Sequence, residues 1–294
     1  MSDRELSERT ASELKELLID SRTRLLQLVT DLDDDQMFGP RLNTVNPPLW
    51  EIGHVAWFQE RWISRNLDRA LSINVKADEF FNSFEVLHDW RWELPLPSRD
   101  EILCYMADVL EISTKRLDSE SISKAHAYFY LLAIFHEDMH CEALMYTRQT
   151  LHYPPPKFLQ SQPQSDLDIY TNEFALKDVK IPGGLYQIGA TEESPFVFDN
   201  EKWAHEVTLA PFKIAKHAIS NEDYLEFVEA GGYQTEKFWG NKAWKWCCER
   251  KLKHPVYWKK DSSNKWYERQ FDQWSPLESL HAVIHISWYE AQAY

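Results

Sequence analysis

The stretch Ala133-Ile-Phe-His-Glu-Asp-Met-His-Cys-Glu-Ala143 lies in an apolar run that contains neither glycine nor proline, and it predicts a helix. His136 and His140 are four residues apart, so both imidazoles should lie on one helix face with Cβ atoms roughly 5–6 Å apart. Histidine pairs with this spacing also occur as surface groups or as hydrogen-bonded core pairs. Because phenylalanine, leucine, isoleucine and methionine surround this pair, the sequence favours a metal site. Glu142 lies about 200° around the helix from His140, so we expect it to support the site or the fold rather than to bind the metal.

The same residues contain the pattern H-E-x-x-H, in which two histidines bind zinc and the glutamate acts as the general base of a metalloprotease. The longer protease signature requires a glycine and a third histidine where this chain has Ala143 and Tyr146. The chain then continues into Pro154-Pro-Pro rather than into another helix that could supply a glutamate ligand. A zinc metallohydrolase that uses residues 136–140 is therefore an alternative hypothesis and not the favoured one.

His54 is the candidate for a third metal ligand. It lies between Gly53 and Val55 in a segment rich in tryptophan and phenylalanine, where an unpaired imidazole would be unfavourable. A lone buried histidine is usually held by hydrogen bonds alone, but this one has a candidate pair of partners in the same half of the chain. Three neutral imidazoles would leave coordination positions open, and imidazole alone does not distinguish zinc from iron.

Composition and charge exclude several classes of protein. The chain has 294 residues, of which 44% are hydrophobic and 14% aromatic, as expected for a globular protein of two domains. Its net charge of -15 opposes binding to nucleic acids and to anionic membranes. No apolar run approaches the roughly 18 residues needed to span a bilayer, and the N-terminus lacks a secretion signal. The four cysteines form no CxxC pair. We expect a cytoplasmic protein without nucleic-acid or membrane partners.

Four helices are predicted in the first half of the chain. They are expected at residues 11–32, at residues 49–66 after Pro48, from a capping box at Ser98 to about residue 117, and from Ser123 to about residue 149. The region 71–99 between the second and third helices is rich in aromatic residues and proline, and it is predicted to be a loop. Four helices with long crossovers predict a four-helix bundle over residues 1–151.

The second half of the chain has a different pattern. Residues 152–178 are rich in proline, glutamine and serine and predict a semi-rigid linker. Residues 179–294 predict short strands around Gly183-Gly184, another strand from His205, and a short helix that begins after Ser220 and ends at Gly231-Gly232. A last helix after Ser287 would be marginal by itself, so we expect this domain to be truncated at its C-terminus. The predicted fold class is α+β with two domains.

Two independent sets of motifs resemble known families. His54 with His136-x-x-x-His140-x-Glu142 resembles the pattern of DinB-like four-helix bundles. A second set resembles the first half of the formylglycine-generating (sulfatase-modifying factor) domain, which has a C-type-lectin-like fold. Its members are Ile181-Pro-Gly-Gly-Leu-Tyr-Gln-Ile-Gly189, Phe198-Asp-Asn-Glu201, His205, Ile219-Ser-Asn-Glu-Asp-Tyr-Leu-Glu-Phe227, Gly231-Gly-Tyr233 and Ile286-Ser-Trp-Tyr-Glu-Ala-Gln-Ala-Tyr294. In this order the two domains are similar to the ergothioneine-biosynthesis sulfoxide synthases and the selenoneine synthases.

The resemblance implies a non-haem Fe(II) enzyme in which His54, His136 and His140 bind the metal and O2 is a co-substrate. Such enzymes join a sulfur or selenium donor to the imidazole of hercynine, Nα-trimethylhistidine. The quaternary ammonium requires aromatic faces and carboxylates, and the 13 tryptophans and 47 acidic residues can supply both. The catalytic tyrosine of the family would lie beyond Tyr294, so no catalytic residue is assigned.

The chain also departs from the family pattern. Met139 stands where ergothioneine synthases commonly have a glutamine that contacts the substrate. Residues 84–97 stand where an arginine-bearing loop holds the carboxylates of cysteine or γ-glutamylcysteine, and they resemble the selenoneine branch, whose donor is a selenosugar. Arg91, Asp89 and Trp90 are the candidate donor-binding residues, although Arg91 could instead be solvated or paired with Asp89. The donor and the oligomeric state stay open. A hypothesis of another class is a non-catalytic ligand-binding module with a structural metal.

Overall fold

The computed structural model describes residues 10–119, 122–160, 178–194 and 196–294. The α-helices are α1 (Ala11–Gln27), α2 (Asp34–Phe38), α3 (Pro48–Trp62), α4 (Ser64–Leu67), α5 (Ala77–Phe81), α6 (Arg99–Ser119), α7 (Lys124–Thr150), α8 (Lys157–Gln160), α9 (Asn221–Glu229), α10 (Asn241–Glu249) and α11 (Trp288–Ala293). The strands are β1 (Asp178–Ile181), β2 (Gly184–Ile188), β3 (His205–Leu209), β4 (Phe212–Ala215), β5 (Trp258–Lys260), β6 (Trp266–Gln270) and β7 (Gln273–Pro276).

The chain divides into two compact units. One unit includes the described residues before position 161 together with Gln187–Glu206, and the other includes residues 178–186 together with Val207–Tyr294. Most of the predicted linker, residues 161–177, lies outside the described residues. No helix in the described ranges combines the length and the apolar character needed to cross a membrane.

Four long helices form the predicted bundle, in which α1 and α3 each pack against both α6 and α7. Two boundaries differ from the prediction. Helix α1 ends at Gln27 rather than near residue 32, because the Leu28 and Val29 N–H groups bond to carbonyls three residues back and tighten the last turn. The predicted helix at 49–66 is divided at Ile63, whose backbone has φ -93° and ψ -83°, into α3 and the short α4.

Side-chain caps fix the starts of α6 and α7. Ser98 and Glu101 form the predicted capping box, with the Ser98 N–H 2.8 Å from the Glu101 carboxylate and the Glu101 N–H 3.3 Å from Ser98 Oγ. Ser123 Oγ accepts the N–H of His126 at 3.2 Å and opens α7. Each cap satisfies N–H groups that have no partner within the helix.

The bundle core lies among α1, α3, α6 and α7. Burial of each large apolar side chain contributes roughly 1.5–3 kcal/mol. The fully buried members include Leu14, Leu18, Trp50, Phe81, Ile102, Tyr130 and Leu144.

The region 71–99, predicted to be a loop, contains α5 and a 3-10 turn at His88–Trp92. The buried carboxylate of Glu60 anchors the start of this region, because it accepts the N–H of Ile73 at 2.6 Å and the hydroxyl of Tyr105. Tertiary hydrogen bonds of this kind hold short helices that have no strong local pattern.

The second half of the chain combines short strands with helices. β1 pairs antiparallel with β4, β2 pairs with β3, and β5, β6 and β7 form an antiparallel sheet. The two strands predicted around Gly183-Gly184 are therefore present as β1 and β2. They do not pair with each other, because β1 pairs with β4 and β2 pairs with β3. Helix α9 is followed by Gly231 at φ 81°, where glycine is favoured. The predicted α+β fold class is confirmed.

Candidate metal centre

Helices α3 and α7 bring together the three histidines that the sequence singles out. One nitrogen from each of His54, His136 and His140 lies within 4.8 Å of the others. The ring centroid of His54 is 5.1 Å from that of His136 and 5.0 Å from that of His140, and the last two are 4.5 Å apart. His54 and His136 are buried, at 4% and 8% exposure. Metal binding by these residues stays a prediction, and the structure gives the geometry on which it rests.

The hydrogen bonds of two imidazoles define which nitrogens carry lone pairs. His54 Nδ1 lies 2.8 Å from the carbonyl oxygen of Phe81, which can only accept, so Nδ1 carries the proton. His140 Nδ1 likewise donates to Glu51 Oε1 at 2.8 Å. His140 Nε2 then faces His136 Nε2 at 3.2 Å. No hydrogen bond among the described residues fixes the proton on His136 Nδ1, so the two Nε2 atoms can share one proton or bind one cation between them. The donor set therefore fits a bound metal ion.

Burial keeps two of these imidazoles neutral. Burial, followed by the charge of the neighbouring His140, lowers the pKa of His54 to about 3. Burial, followed by the charges of His140 and His54, also lowers the pKa of His136 well below its usual value. Neutral imidazole is the form that binds metals, so both groups are ready to act as ligands at neutral pH.

Aromatic rings fix the planes of the two buried imidazoles. Phe58 stacks on His136 with ring centroids 3.6 Å apart and planes 8° apart. Trp50 stacks on His54 at 4.8 Å and 8°, and Trp57 lies 5.6 Å from the same imidazole. These rings cover the faces of the two imidazoles and hold their planes in place.

Glu137, the glutamate of the H-E-x-x-H pattern, forms a buried ion pair. Arg22 Nε lies 2.7 Å from Glu137 Oε1, and both side chains are at most 4% exposed. The same guanidinium donates to Gln59 Oε1 at 2.6 Å and to the carbonyl oxygen of Met106. Burial raises the pKa of Glu137, and Arg22 opposes that shift. A carboxylate held in this pair is not available as the general base of a zinc hydrolase, so the geometry does not favour that alternative.

Glu51 is the supporting residue that sequence reasoning missed. Its carboxylate is 1% exposed and holds the imidazole of His140. The available signal was a glutamate one turn before His54 in the apolar first half of α3. Glu142, expected to support the site or the fold, is exposed, and Met139 is 49% exposed.

The predicted donor-binding residues lie in the 3-10 turn at His88–Trp92. The guanidinium of Arg91 lies 3.8 Å over the ring of Trp50 and donates to Asn46 Oδ1 at 2.5 Å. Its buried Nε has no hydrogen-bond partner among the described residues. Asp89 pairs with Arg41 at 2.9 Å rather than with Arg91, and Trp90 is 54% exposed. Arg91 is therefore joined to the histidine cluster through Trp50, whereas a donor-binding role for all three residues stays a prediction.

Two family models match this chain. Residues 17–144 match the DinB superfamily, and residues 169–294 match the sulfatase-modifying factor enzyme 1-like domain. The chain thus combines a DinB domain with a sulfatase-modifying-factor-like domain, in the order that its motifs predict.

Two hercynine oxygenases align with nearly the whole chain, and a third relative aligns with a quarter of it. The hercynine oxygenase of Mycolicibacterium smegmatis is 27% identical over 277 residues, which are 93% of this chain and 62% of the relative. The hercynine oxygenase of Mycolicibacterium thermoresistibile is 26% identical over 286 residues, 96% of this chain and 62% of the relative. The formylglycine-generating enzyme of Thermomonospora curvata is 38% identical over 77 residues, 25% of each chain. The chain spans about three-fifths of the length of these hercynine oxygenases.

Proposed function

We propose that this protein is a non-haem iron oxygenase that acts on hercynine, with Fe(II) held by His54, His136 and His140 and O2 as the co-substrate. The observation that carries the proposal is the convergence of three imidazoles, two of them buried, whose ring nitrogens lie within 4.8 Å of one another. The relatives named hercynine oxygenase support the choice of substrate.

The residues of the chain have distinct tasks in this proposal. Bound iron would supply the redox chemistry by which O2 drives formation of a carbon–sulfur or carbon–selenium bond at the imidazole of hercynine. Glu51 and the carbonyl of Phe81 hold two ligands in the tautomer that presents Nε2. Phe58 and Trp50 keep the ligand rings in place.

The donor is proposed to bind near Arg91, Asp89 and Trp90. A selenosugar requires hydrogen-bonding and stacking groups and few cations, which these side chains and the neighbouring His88 and Trp92 can provide. Cysteine or γ-glutamylcysteine requires cations for its carboxylates, and Arg91 has an unpartnered buried Nε among the described residues. We favour the selenosugar as the donor. The selenosugar, cysteine and γ-glutamylcysteine can be compared directly in one activity assay.

The test is O2 consumption by the protein reconstituted anaerobically with Fe(II). We expect O2 uptake that depends on hercynine and on one of the three donors, together with a product in which sulfur or selenium is bonded to the imidazole. The His140→Ala variant is the matched negative control. A protein that prefers zinc and consumes no O2 with any donor would contradict the proposal and support a binding module with a structural metal.

A further inference from the structure

Helix α5 is held against α3 by three ring N–H groups that lie along one face of α3. Trp50, His54 and Trp57 are spaced by four and three residues, so their side chains project from the same face. Trp50 Nε1 donates to the carbonyl oxygen of Phe80 at 2.7 Å, and His54 Nδ1 donates to that of Phe81 at 2.8 Å. Trp57 Nε1 donates to Asp78 Oδ1 at 2.6 Å. One of the three candidate ligands is therefore part of the contact between α3 and α5.

The carbonyl of Phe81 reaches His54 because Gly53 has no side chain. A Cβ atom at Gly53 would lie 2.3 Å from the ring of Phe81, far inside contact distance. The Phe81 carbonyl is also at the end of α5, where carbonyl groups have no partner within the helix. It is thus free to accept the His54 Nδ1 proton.

Asp78 fixes the other end of α5. Its two oxygens accept Arg65 Nη1 at 2.7 Å and Nη2 at 2.8 Å, and one of them also accepts the indole N–H of Trp57. Bidentate arginine–carboxylate pairs define orientation as well as adding energy. Asp78 and Phe81 are three residues apart, so the position of one constrains the position of the other.

We infer that Asp78 is a positioning residue for the metal centre: it holds α5 so that the Phe81 carbonyl keeps the proton on His54 Nδ1 and leaves His54 Nε2 as the ligand atom. Gly53 permits this approach. The inference rests on the proposed metal function. Residues that orient a ligand imidazole typically change metal affinity by 10–100-fold when they are altered.

The test compares Asp78→Asn with Asp68→Asn. Asp68 is a matched control because it also pairs with an arginine, Arg116 Nε at 2.8 Å, and the two aspartate side chains are similarly exposed, at 46% and 40%. Metal affinity is measured by anaerobic titration with Co2+, followed by its visible absorption. We expect affinity to fall about 10-fold in the Asp78 variant and to change less than about 2-fold in the Asp68 variant.

A second measurement separates positioning from general loss of structure. The ¹⁵N chemical shifts of the His54 ring in the metal-free protein report which nitrogen carries the proton. They should show Nδ1–H in the wild type and in Asp68→Asn, and a mixture of tautomers in Asp78→Asn. If Asp78→Asn does not fold, Arg65→Lys, which keeps the charge but loses the bidentate pair, should show the same mixture.

The outcomes distinguish the two hypotheses. The positioning role alone would be overturned if Asp78→Asn left both the Co2+ affinity and the His54 ring shifts unchanged. The same holds for Arg65→Lys where that variant is used because Asp78→Asn does not fold. A wild-type protein that binds no metal would overturn the proposed function, and the positioning role with it.

Discussion

Glu51 is buried almost completely and holds His140 from the neighbouring helix. A carboxylate that accepts the Nδ1 proton of a ligand imidazole fixes its tautomer and makes the other nitrogen a stronger ligand. The shape of the site therefore depends on a residue that would not itself touch the metal.

The Glu51→Gln variant tests this role. The amide has nearly the same shape but no charge, so we expect metal affinity to fall about 10-fold while the fold is kept. Isothermal titration with Co2+ under anaerobic conditions measures the change. Glu142→Gln is the control, because Glu142 is exposed; an equal loss in both variants would argue against a specific role for Glu51.

At the scale of residues, the sequence predicted the parts of the site that have a local signal. His136 and His140 follow from helical spacing, and His54 follows from its apolar neighbours. Glu51 did not follow, because one acidic residue in a helix looks the same whether it faces solvent or a partner on another helix. Glu142 was the more obvious carboxylate because it lies two residues from His140, but its exposure shows that proximity in sequence was a poor guide.

At the scale of elements, one ion pair joins the turn that follows α1 to the last turn of α7. Arg148 is 1% exposed and donates to both oxygens of Asp31 at 2.8 Å. It also donates to the carbonyl of Leu28 at 2.8 Å and to that of Pro154 at 2.7 Å. Arg148 thereby satisfies carbonyl groups that follow each helix.

The Asp31→Asn variant should lower the free energy of unfolding by about 1–3 kcal/mol at pH 7, because it leaves a buried guanidinium without its charged partner. Arg148 lowers the pKa of Asp31 below its usual 3.8. The stabilisation is then fully present above pH 3.8 and is lost as the pH falls below that value through the folded pKa. Urea unfolding at several pH values measures both effects.

The control is Asp20→Asn, which removes an exposed ion pair between Asp20 and Arg24 within α1. Its effect should stay below about 0.5 kcal/mol. If the difference in free energy of unfolding between the wild type and Asp31→Asn does not shrink in acid, the charge of Asp31 is not what stabilises this contact.

Elements with their own periodicity and caps were predictable, and elements held by tertiary contacts were not. The bundle helices carry leucine patterns and capping residues such as Ser98 and Ser123. Helix α5 has five residues and is fixed by hydrogen bonds from α3 and α4, so nothing in its own sequence predicts it. The division at Ile63 also lacks a proline or glycine signal.

At the scale of the whole molecule, the pair of domains was predictable because two unrelated sets of motifs agree. Which segments of the chain pack together in each compact unit was harder to predict from the sequence. Residues 187–206 belong to the helical unit, where Phe196 stacks on Tyr128 at 5.1 Å and the Tyr128 hydroxyl donates to the carbonyl of Val197 at 3.0 Å. Contacts between segments that are distant in sequence leave no local pattern, so this grouping could not be predicted. The domain boundary predicted at residue 151 stays a prediction.

The most direct test of the account is the Fe(II) stoichiometry of the wild type and of three variants, His54→Ala, His136→Ala and His140→Ala, measured anaerobically at equilibrium. His126→Ala, on the same helix as two of these residues, is the control. We expect one bound ion per chain in the wild type and in the control, and loss of that ion in each of the three variants. Stoichiometric iron in any of the three would contradict it.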